Sequence, residues 1–416
     1  MLATIITIGD ELLIGQTIDT NSAWIGQQLN AIGIKVHEIL SVSDDANHIK
    51  NGLDRAATQS SIVLITGGLG PTKDDITKKT LRSYFHAGEV FHEPTFERIR
   101  QIFEKRGKSL LDMNRAQAMV PDNCVVLDNE RGTAPGMWFE SGGVIFVSMP
   151  GVPYEMKHLM IERVLPRLQQ RFGGRVVHRN IMTVGIGESA LAQLLDSFEQ
   201  ELPNSIKLAY LPDLGIVKLR LSAYGVDEDT EQLVEEKFRK LAQLVAPYTY
   251  ANSDISLEAK LGEICIKRKL RIAFAESCTG GYAGHLVTSV PGSSQYFEGS
   301  TVTYSYAMKQ QLLGVNPETL AQQGAVSETC VREMLEGLFR ISKADYGVAI
   351  SGIAGPDGGT PEKPVGTVCF AIGSPNHIQT RTLQFFPRRM ENIRLSAITA
   401  LNLLRQAILT DLPEES

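Results

Sequence analysis

Short apolar runs alternate with amphipathic segments in the first and last thirds of the chain, and this alternation restricts the fold more than any other feature. The runs at 3–9, 34–40, 61–68 and 143–151 have the length of buried strands, and the segments between them include apolar residues at helical spacing. Strands regularly separated by helices form a mainly parallel sheet with helices on both faces. The sequence therefore predicts an α/β domain at each end of the chain.

The middle of the chain has a different pattern. From Val217 to Ala223 apolar and polar residues alternate, which predicts a strand with one buried face. No converging set of polar residues accompanies this region, so we interpret it as a structural spacer or an oligomerisation unit. The predicted fold is two α/β domains joined by a small βαββα middle domain. The expected domain bounds are 1–172, 173–250 and 256–416, with a linker at 246–256.

Composition excludes several classes of function. The 416 residues have a net charge of −6, whereas a nucleic-acid-binding surface usually gives a basic excess. None of the five cysteines is at metal-ligand or redox spacing, which is typical of a reducing cytoplasm. No apolar stretch approaches the roughly 20 residues that cross a bilayer. We expect a cytoplasmic protein without membrane contact, for which direct nucleic-acid binding is not expected.

The first candidate site is the glycine-rich segment 66–77, TGGLGPTKDDIT, which follows an apolar strand. Glycines such as Gly67 and Gly68 allow positive φ and a close approach of the backbone to a ligand. Thr72 and Asp75 have the spacing of a capping box, so a helix is expected to start here. Unpaired amides at such a helix start attract an anion such as phosphate.

The acidic residues of this segment complicate a phosphate site. Asp74 and Asp75 would repel a bare phosphate, unless a carboxylate binds a divalent metal ion or a ligand hydroxyl. Asp10 and Glu11 end the first strand and are expected at the same edge, because ligands bind beyond the carboxyl ends of strands. The alternative is a tight structural turn whose acids only favour the helix N-terminus.

The second candidate site is the segment 275–284, AESCTGGYAG, at the end of another apolar strand. Ser277 is at the strand-to-helix turn, and the backbone amides from Cys278 to Gly281 are placed for an oxyanion or a phosphate. Cys278 is a rival nucleophile because a thiol is intrinsically more reactive. Thr279 has the position of a helix cap. A turn packed for structural reasons alone is the third interpretation.

A serine nucleophile needs a base, and the best candidate is Lys309. Burial or a neighbouring charge lowers the pKa of a lysine enough for it to act as a base, and Ser–Lys pairs are a known variant of serine hydrolases. Tyr304 would orient the lysine or donate a hydrogen bond to the substrate. Taken alone, a lysine such as Lys309 is more often a solvated surface residue.

Two further segments favour a site in the last third of the chain. The loop 351–366 is long and rich in glycine and proline, which is more typical of function than of packing. Arg388, Arg389 and Arg394 are at the start of the last helix, where a phosphate would bind. A solvated basic turn is the alternative. We expect substrate-binding residues around these turns: Glu276, Thr279, Gly280, Gly281, Ser305, Gly352 and Gly355.

Four segments of the first third resemble the molybdopterin-binding, or MoCF-type, domain of the CinA (competence/damage-inducible protein A) family. They are GDELLIGQTIDTN (9–21), GGLGPTKDDIT (67–77), RGTAPG (131–136) and MPGVPYEM (149–156). The resemblance implies hydrolysis of ADP-ribose and similar pyrophosphates with a divalent cation.

The same resemblance implies a set of site residues in the first third. Gly67, Gly68, Thr72, Asp74 and Asp75 would bind the nucleotide phosphates and the metal ion. Asp10, Glu11 and Asn21 would line the same cleft. We expect Asp10 and Asp74 as the metal ligands.

Residues 257–416 resemble the C-terminal domain of the CinA family. The matching segments are AESCTGG, GSSQYFEGSTVTYS, GAVSE, SGIAGPDGG and EKPVGTV. The resemblance implies hydrolysis of the carboxamide of nicotinamide mononucleotide (NMN), giving nicotinic acid mononucleotide and ammonia. It also implies Ser277 as nucleophile, Lys309 as its base and an assisting arginine near the last helix, which we place at Arg394. Tyr304 completes the predicted catalytic set, and no cofactor is expected for this half.

The predicted function is a bifunctional enzyme of pyridine-nucleotide salvage, acting on NMN and on ADP-ribose, and a homodimer is expected from the resemblance. Two alternatives stay open. One is a non-catalytic molybdopterin-binding or assembly factor, as the first third alone would suggest. The other is a partner protein in competence or DNA damage, against which the acidic balance of the chain argues.

Overall fold

The computed structural model describes residues 1–70, 76–105, 112–172 and 174–413, with the side chains of 112–114 excepted. Two compact units make up the chain. The first is Met1–Val177 with Ala223–Glu231, and the second is His178–Ser222 with Gln232–Ser416.

The first unit begins with alternating strands and helices, as the sequence predicts. Its elements are β1 Leu2–Ile8, α1 Asp10–Leu13, α2 Thr20–Ala31, β2 Lys35–Val42, α3 Ala46–Gln59, β3 Ile62–Thr66, α4 Thr77–Tyr84, β4 Glu89–Phe91, α5 Glu93–Lys105, α6 Asp112–Gln117, β5 Met119–Pro121, β6 Val125–Leu127, β7 Gly136–Ser141, β8 Val144–Met149, α7 Pro153–Leu159 and α8 Leu165–Phe172. A π-helical turn, Met160–Val164, joins α7 to α8.

Most of these strands form one sheet in the order β2-β1-β3-β8-β7-β6. The pairs β1–β2, β1–β3 and β3–β8 are parallel, and β7 and β6 extend the sheet antiparallel. Alternate residues face opposite layers. Ile5 and Leu64 pack with α2, α7 and α8, whereas Ile6 and Val63 pack with α3 and α4. The predicted parallel sheet with helices on both faces is confirmed.

The middle of the chain has the predicted βαββα order and one additional strand. The elements are β9 Val176–Val184, α9 Glu188–Gln200, β10 Ile206–Asp213, β11 Ile216–Tyr224, α10 Glu228–Leu244 and β12 Thr249–Ala251. The sheet order is β10-β11-β9-β12, and β12 pairs antiparallel with β9. The linker expected at 246–256 is therefore partly strand, because Tyr250 and Ala251 are buried in the core of the second unit.

The rest of the second unit is an α/β domain. Its elements are α11 Leu257–Arg268, β13 Ile272–Glu276, α12 Tyr282–Thr288, β14 Phe297–Val302, α13 Tyr306–Leu313, α14 Pro317–Gln323, α15 Glu328–Ile341, β15 Tyr346–Gly352, β16 Thr367–Ser374, β17 His377–Gln384 and α16 Arg389–Asp411. The sheet order is β14-β13-β15-β16-β17, parallel for β14-β13-β15 and antiparallel beyond β15.

The two faces of this sheet differ in side-chain size. Large residues such as Ile272 and Phe274 pack under α11, α12 and α16. Small residues such as Ala273 and Ala275 face α13, α14 and α15. Helices pack closely on this second side, since a Cβ at Gly337 of α15 would lie 2.0 Å from the Leu313 carbonyl oxygen of α13. The side chains of α13 consequently lie close to the sheet.

Strand β17 is absent from the sequence prediction. It is an edge strand whose residues are mostly polar and alternate between exposed and half-buried, so no apolar run marks it. None of the described helices has the length and apolar character needed to span a bilayer.

Candidate active site

Ser277 and Lys309 are in direct contact at the carboxyl end of β13. Ser277 follows the strand immediately, and its amide donates to the Ile350 carbonyl of β15 at 2.9 Å, so the sheet fixes its backbone. Lys309 is in the first turn of α13. Its Nζ lies 2.8 Å from the Ser277 Oγ. The structure thus brings together the two residues that the sequence suggested as nucleophile and base.

The amine of Lys309 is completely buried and has no ion pair among the described residues. It donates to the Thr303 carbonyl at 2.6 Å and lies 3.5 Å from the Tyr304 carbonyl. Burial lowers its pKa below the usual 10.5. A neutral amine has two N–H groups for these two carbonyls and one lone pair for the serine hydroxyl. These three acceptors would also fit the three N–H groups of an ammonium, so it is burial, not the hydrogen-bond pattern, that favours the neutral amine.

The carboxylate of Glu276 is fully buried and lies inside the turn that contains Ser277. Its oxygens accept hydrogen bonds from the amides of Gly281, Ala283 and Gly284 and from the Ser300 hydroxyl, at 2.7–3.0 Å. Sequence analysis expected Glu276 to bind substrate. The structure corrects this, since these four donors occupy both oxygens and the residue shapes the turn.

Two backbone amides in the turn are available to a ligand. The Gly280 amide donates to the Ser277 carbonyl, and the Gly281 amide donates to Glu276. The amides of Cys278 and Thr279 have no acceptor within the described parts of the chain. Of the four amides expected to bind an oxyanion, only these two are free to do so.

The structure also separates the rival nucleophiles. Burial raises the pKa of the Cys278 thiol to about 12, so it stays protonated and unreactive near neutral pH. Thr279 is not the expected helix cap. Helix α12 starts after Gly281, whose φ is +95°, and Glu276 instead binds its first amides. The Thr279 hydroxyl is buried and has no partner.

Arg389, rather than Arg394, is the arginine next to the predicted catalytic residues. Its guanidinium donates to the Tyr304 hydroxyl at 3.1 Å and to the Gly355 carbonyl at 3.0 Å. Arg394 instead lies 3.6 Å from Asp213 of the middle domain. The catalytic role expected for Arg394 is therefore not supported by its position. Arg389 and Arg394 are five residues apart on α16, so their side chains point in different directions. Arg388 pairs with Glu391 at the surface.

Some of the remaining residues expected to bind substrate have structural partners, and others lie in the turns and loops around Ser277. Ser305 caps α13, and its hydroxyl accepts from the Met308 amide, so it has a structural partner. Gly352 ends β15, and Gly355 lies in the loop that Arg389 contacts. Gly280 has a positive φ of +60° in the serine turn. Tyr304 is largely exposed, with its hydroxyl held by Arg389.

A second cleft lies at the carboxyl ends of β1 and β3 in the first unit. Gly67 and Gly68 form its floor, and both need to be glycine, because a Cβ would lie 2.1 Å from the Ile8 carbonyl oxygen or from the Thr77 hydroxyl. Asn21 donates to the Gly151 carbonyl at 2.7 Å. The cleft has a smaller and a larger lobe, which share Gly67 and Gly151.

Acidic residues lie in and beside this cleft: Glu11 and Asp44 line it, and Asp10 is in contact with Asp44. The Asp10 amide donates to the Asp44 carboxylate at 3.2 Å, and the Asp44 amide donates to the Asp10 carboxylate at 3.3 Å. Sequence analysis missed Asp44, although it follows β2 at the same sheet edge. Within the described ranges no group of three potential ligands that could hold a metal ion occurs. Thr72, Asp74 and Asp75 lie outside the described residues.

Comparison with known proteins identifies the family. The model of the CinA C-terminal domain matches residues 254–408, that of the probable molybdopterin binding domain matches 4–170, and that of the damage-inducible protein CinA KH domain matches 178–251. A CinA-like protein from Cytophaga hutchinsonii is 45% identical over 98% of both chains. The chain belongs to the CinA-like protein family.

Other CinA relatives show the same relationship. A CinA-like protein from Flavobacterium psychrophilum is 42% identical over 98% of this chain and 99% of its own. A crystal structure of the competence damage-inducible protein A from Klebsiella pneumoniae is 34% identical and covers 36% of this chain and 94% of its own, with a TM-score of 0.36.

The match of the middle segment to a KH domain does not extend to the RNA-binding loop of that fold. KH domains clamp nucleotides with a GxxG loop. Between residues 178 and 251 no two glycines are three positions apart. Nucleic-acid binding is therefore not proposed for the CinA KH-type segment.

The buried Glu276 generates a stability prediction. Replacing Glu276 with Gln turns one acceptor oxygen into a donor that faces backbone N–H groups, so buried donors lose their partners. We expect Glu276→Gln to lower the free energy of unfolding by about 1–3 kcal/mol, measured by urea denaturation. Ser300→Ala, which removes one hydroxyl donor from the same carboxylate, is the matched control with a smaller loss of about 1 kcal/mol. Equal stability of Glu276→Gln and the unaltered chain would contradict this role.

Proposed function

We propose that the second unit hydrolyses the carboxamide of NMN, giving nicotinic acid mononucleotide and ammonia. The observation that carries this proposal is the 2.8 Å contact between the Ser277 Oγ and the buried Lys309 Nζ. Ser–Lys pairs serve as nucleophile and base in amide hydrolysis. Both residues lie within the segment that matches the CinA C-terminal domain.

The proposed reaction has two halves. In the first, Lys309 takes the proton of Ser277 while the serine oxygen attacks the amide carbonyl, and the free amides of Cys278 and Thr279 bind the oxyanion. The tetrahedral intermediate then collapses, Lys309 returns the proton to the leaving nitrogen, and ammonia departs from an acyl-serine ester. In the second half, Lys309 takes a proton from water while the water oxygen attacks the ester carbonyl. The C–O bond to Ser277 then breaks, Lys309 returns the proton to the serine oxygen, and the acid leaves.

Arg389 is the proposed contact for the phosphate of the nucleotide. A guanidinium has five N–H donors, and two hydrogen bonds to Gly355 and Tyr304 leave others for a phosphate oxygen. Tyr304 is exposed and held by Arg389, so the two residues present one polar surface beside the serine turn. We propose that they bind and orient the substrate, while Ser277 and Lys309 perform the chemistry.

Variants of the serine turn test this assignment. Ser277→Ala and Lys309→Met in the full chain should each lower kcat for ammonia release from NMN by at least about 10³-fold, because nucleophile and base act as a unit. Cys278→Ala should stay within about threefold of the unaltered enzyme, since its thiol is protonated. Circular dichroism checks that all three variants fold. Activity in Ser277→Ala together with loss in Cys278→Ala would reverse the assignment.

The pH dependence tests the role of Lys309 as a base. Only the neutral amine accepts a proton, and burial lowers the pKa of Lys309 below 10.5. We expect kcat/KM for NMN to rise with pH and to level off above an inflection below 10.5, since activity is lost as pH falls through the lowered pKa. Lys309→Arg should be inactive throughout, because a guanidinium stays protonated. An inflection at or above 10.5 would contradict a buried neutral base.

We propose a second activity, metal-dependent hydrolysis of ADP-ribose, for the first unit. The two-lobed cleft favours it, because ADP-ribose consists of two sugar-containing halves joined by a diphosphate, and the lobes meet at Gly67 and Gly151. The required divalent cation would supply charge neutralisation at the diphosphate. Asp10 is the described residue that we propose as a ligand, and its carboxylate oxygen suits a hard cation. Asp74, the other proposed ligand, lies outside the described residues.

Gly68→Ala separates the two activities. Gly68 has a φ of +61°, and a Cβ there would lie 2.1 Å from the Thr77 hydroxyl, so the floor of the cleft has to move. We expect at least about a tenfold loss of ADP-ribose hydrolysis and no change in NMN deamidation. EDTA should likewise abolish only the first activity. Tight pterin binding by the unaltered chain without any hydrolysis of ADP-ribose would instead favour the non-catalytic molybdopterin-binding alternative.

A further inference from the structure

Gln117 is a buried side chain whose amide group has no partner. It ends α6, is 4% exposed and lines the larger lobe of the cleft in the first unit. Among the residues that the structure describes, neither its Nε2 nor its Oε1 has a hydrogen-bond partner. A buried carboxamide without partners is unfavourable, and buried polar side chains nearly always have one. The simplest account is that a ligand in this lobe supplies the missing partners.

The backbone of Gln117 is fixed relative to the glycine floor of the cleft. The Thr77 amide, at the start of α4, donates to the Gly68 carbonyl. The next residue, Lys78, donates from its Nζ to the carbonyls of Ala116 and Met119 at 2.8 Å and of Gln117 at 3.4 Å. This chain of contacts connects Gly68 to Gln117 through two consecutive residues. The backbone that carries the unpaired carboxamide is therefore tied to the floor of the cleft.

The two lobes differ in ways that suggest which half of a nucleotide sugar each one accepts. The smaller lobe combines polar side chains such as Thr17 and Asn21 with apolar ones such as Leu12 and Ile18, and Gln117 is not part of it. The larger lobe contains Gln117 beside Ala134 and the glycine floor. With a diphosphate over Gly67, a base placed in the larger lobe would lie beside Gln117.

We propose that Gln117 recognises the base of the bound nucleotide and selects adenine over guanine, an inference that rests on the proposed ADP-ribose hydrolysis. A glutamine carboxamide donates and accepts side by side, which matches the N6 amino group and N7 of adenine. Guanine presents two acceptors, O6 and N7, on the same edge. The carboxamide oxygen of Gln117 would therefore face another acceptor when guanine meets it by this edge. The preferred ligands are consequently adenosine diphosphate sugars.

Calorimetric titration of the full chain with ADP-glucose and GDP-glucose, which differ only in the base, tests this proposal. The unaltered chain should bind ADP-glucose at least about tenfold more tightly, the ratio that one bidentate base contact gives. Gln117→Glu replaces the amide donor with an acceptor and should remove this preference. Gln59→Glu, the same change on the exposed end of α3, should leave it intact.

A second variant separates ligand recognition from packing. Gln117→Met keeps the length of the side chain without the amide, so it should lower affinity for ADP-glucose about tenfold and leave the urea midpoint unchanged or higher. A clear drop in the urea midpoint would show that the carboxamide is structural and overturn the proposal. Equal affinities of the unaltered chain for the two nucleotide sugars would also overturn it, while ADP-ribose hydrolysis stands. Binding of neither would overturn both.

Discussion

The desolvation of one lysine amine is the feature on which the proposed chemistry of the second unit depends. Lys309 is fully buried and has only neutral partners: two backbone carbonyls and the Ser277 hydroxyl. A carboxylate at this place would hold the lysine protonated, whereas burial alone favours the neutral amine. The small residues on the sheet face toward α13, such as Ala275, allow this helix to lie close enough for the amine to reach the serine.

Glu276, the residue before the serine, stabilises the turn in which Ser277 lies. By binding three amides and a hydroxyl it closes the turn after β13, and the amides of Cys278 and Thr279 remain free for an oxyanion. The candidate site of the first unit also lies beyond the carboxyl ends of parallel strands. There, glycines after β3 form the floor of a cleft. Both proposed sites are therefore products of strand-to-helix turns, although the reactions proposed for them differ.

The sequence predicted what depends on local pattern, and it missed what depends on side-chain direction. Apolar runs identified the buried strands, and a serine and a lysine after neighbouring strands were expected at one sheet edge. The choice between Arg389 and Arg394 depends on the rotation of α16, and the role of Glu276 depends on a turn that folds back on its own carboxylate. Edge strands β12 and β17 lack an apolar run. The domain bounds, the homodimer and the cytoplasmic location stay predictions.

The protonation state of Lys309 is the most direct test of the whole account. Nuclear magnetic resonance of the full chain labelled with ¹⁵N and ¹³C at lysine would follow the Nζ and Cε signals through a pH titration, with Lys309→Met providing the assignment. The account predicts that Lys309 titrates below the 10.5 of an ordinary lysine, apart from the solvated lysines. A Lys309 signal that stays protonated up to 10.5 or beyond would contradict it, because a permanently charged ammonium cannot take the serine proton.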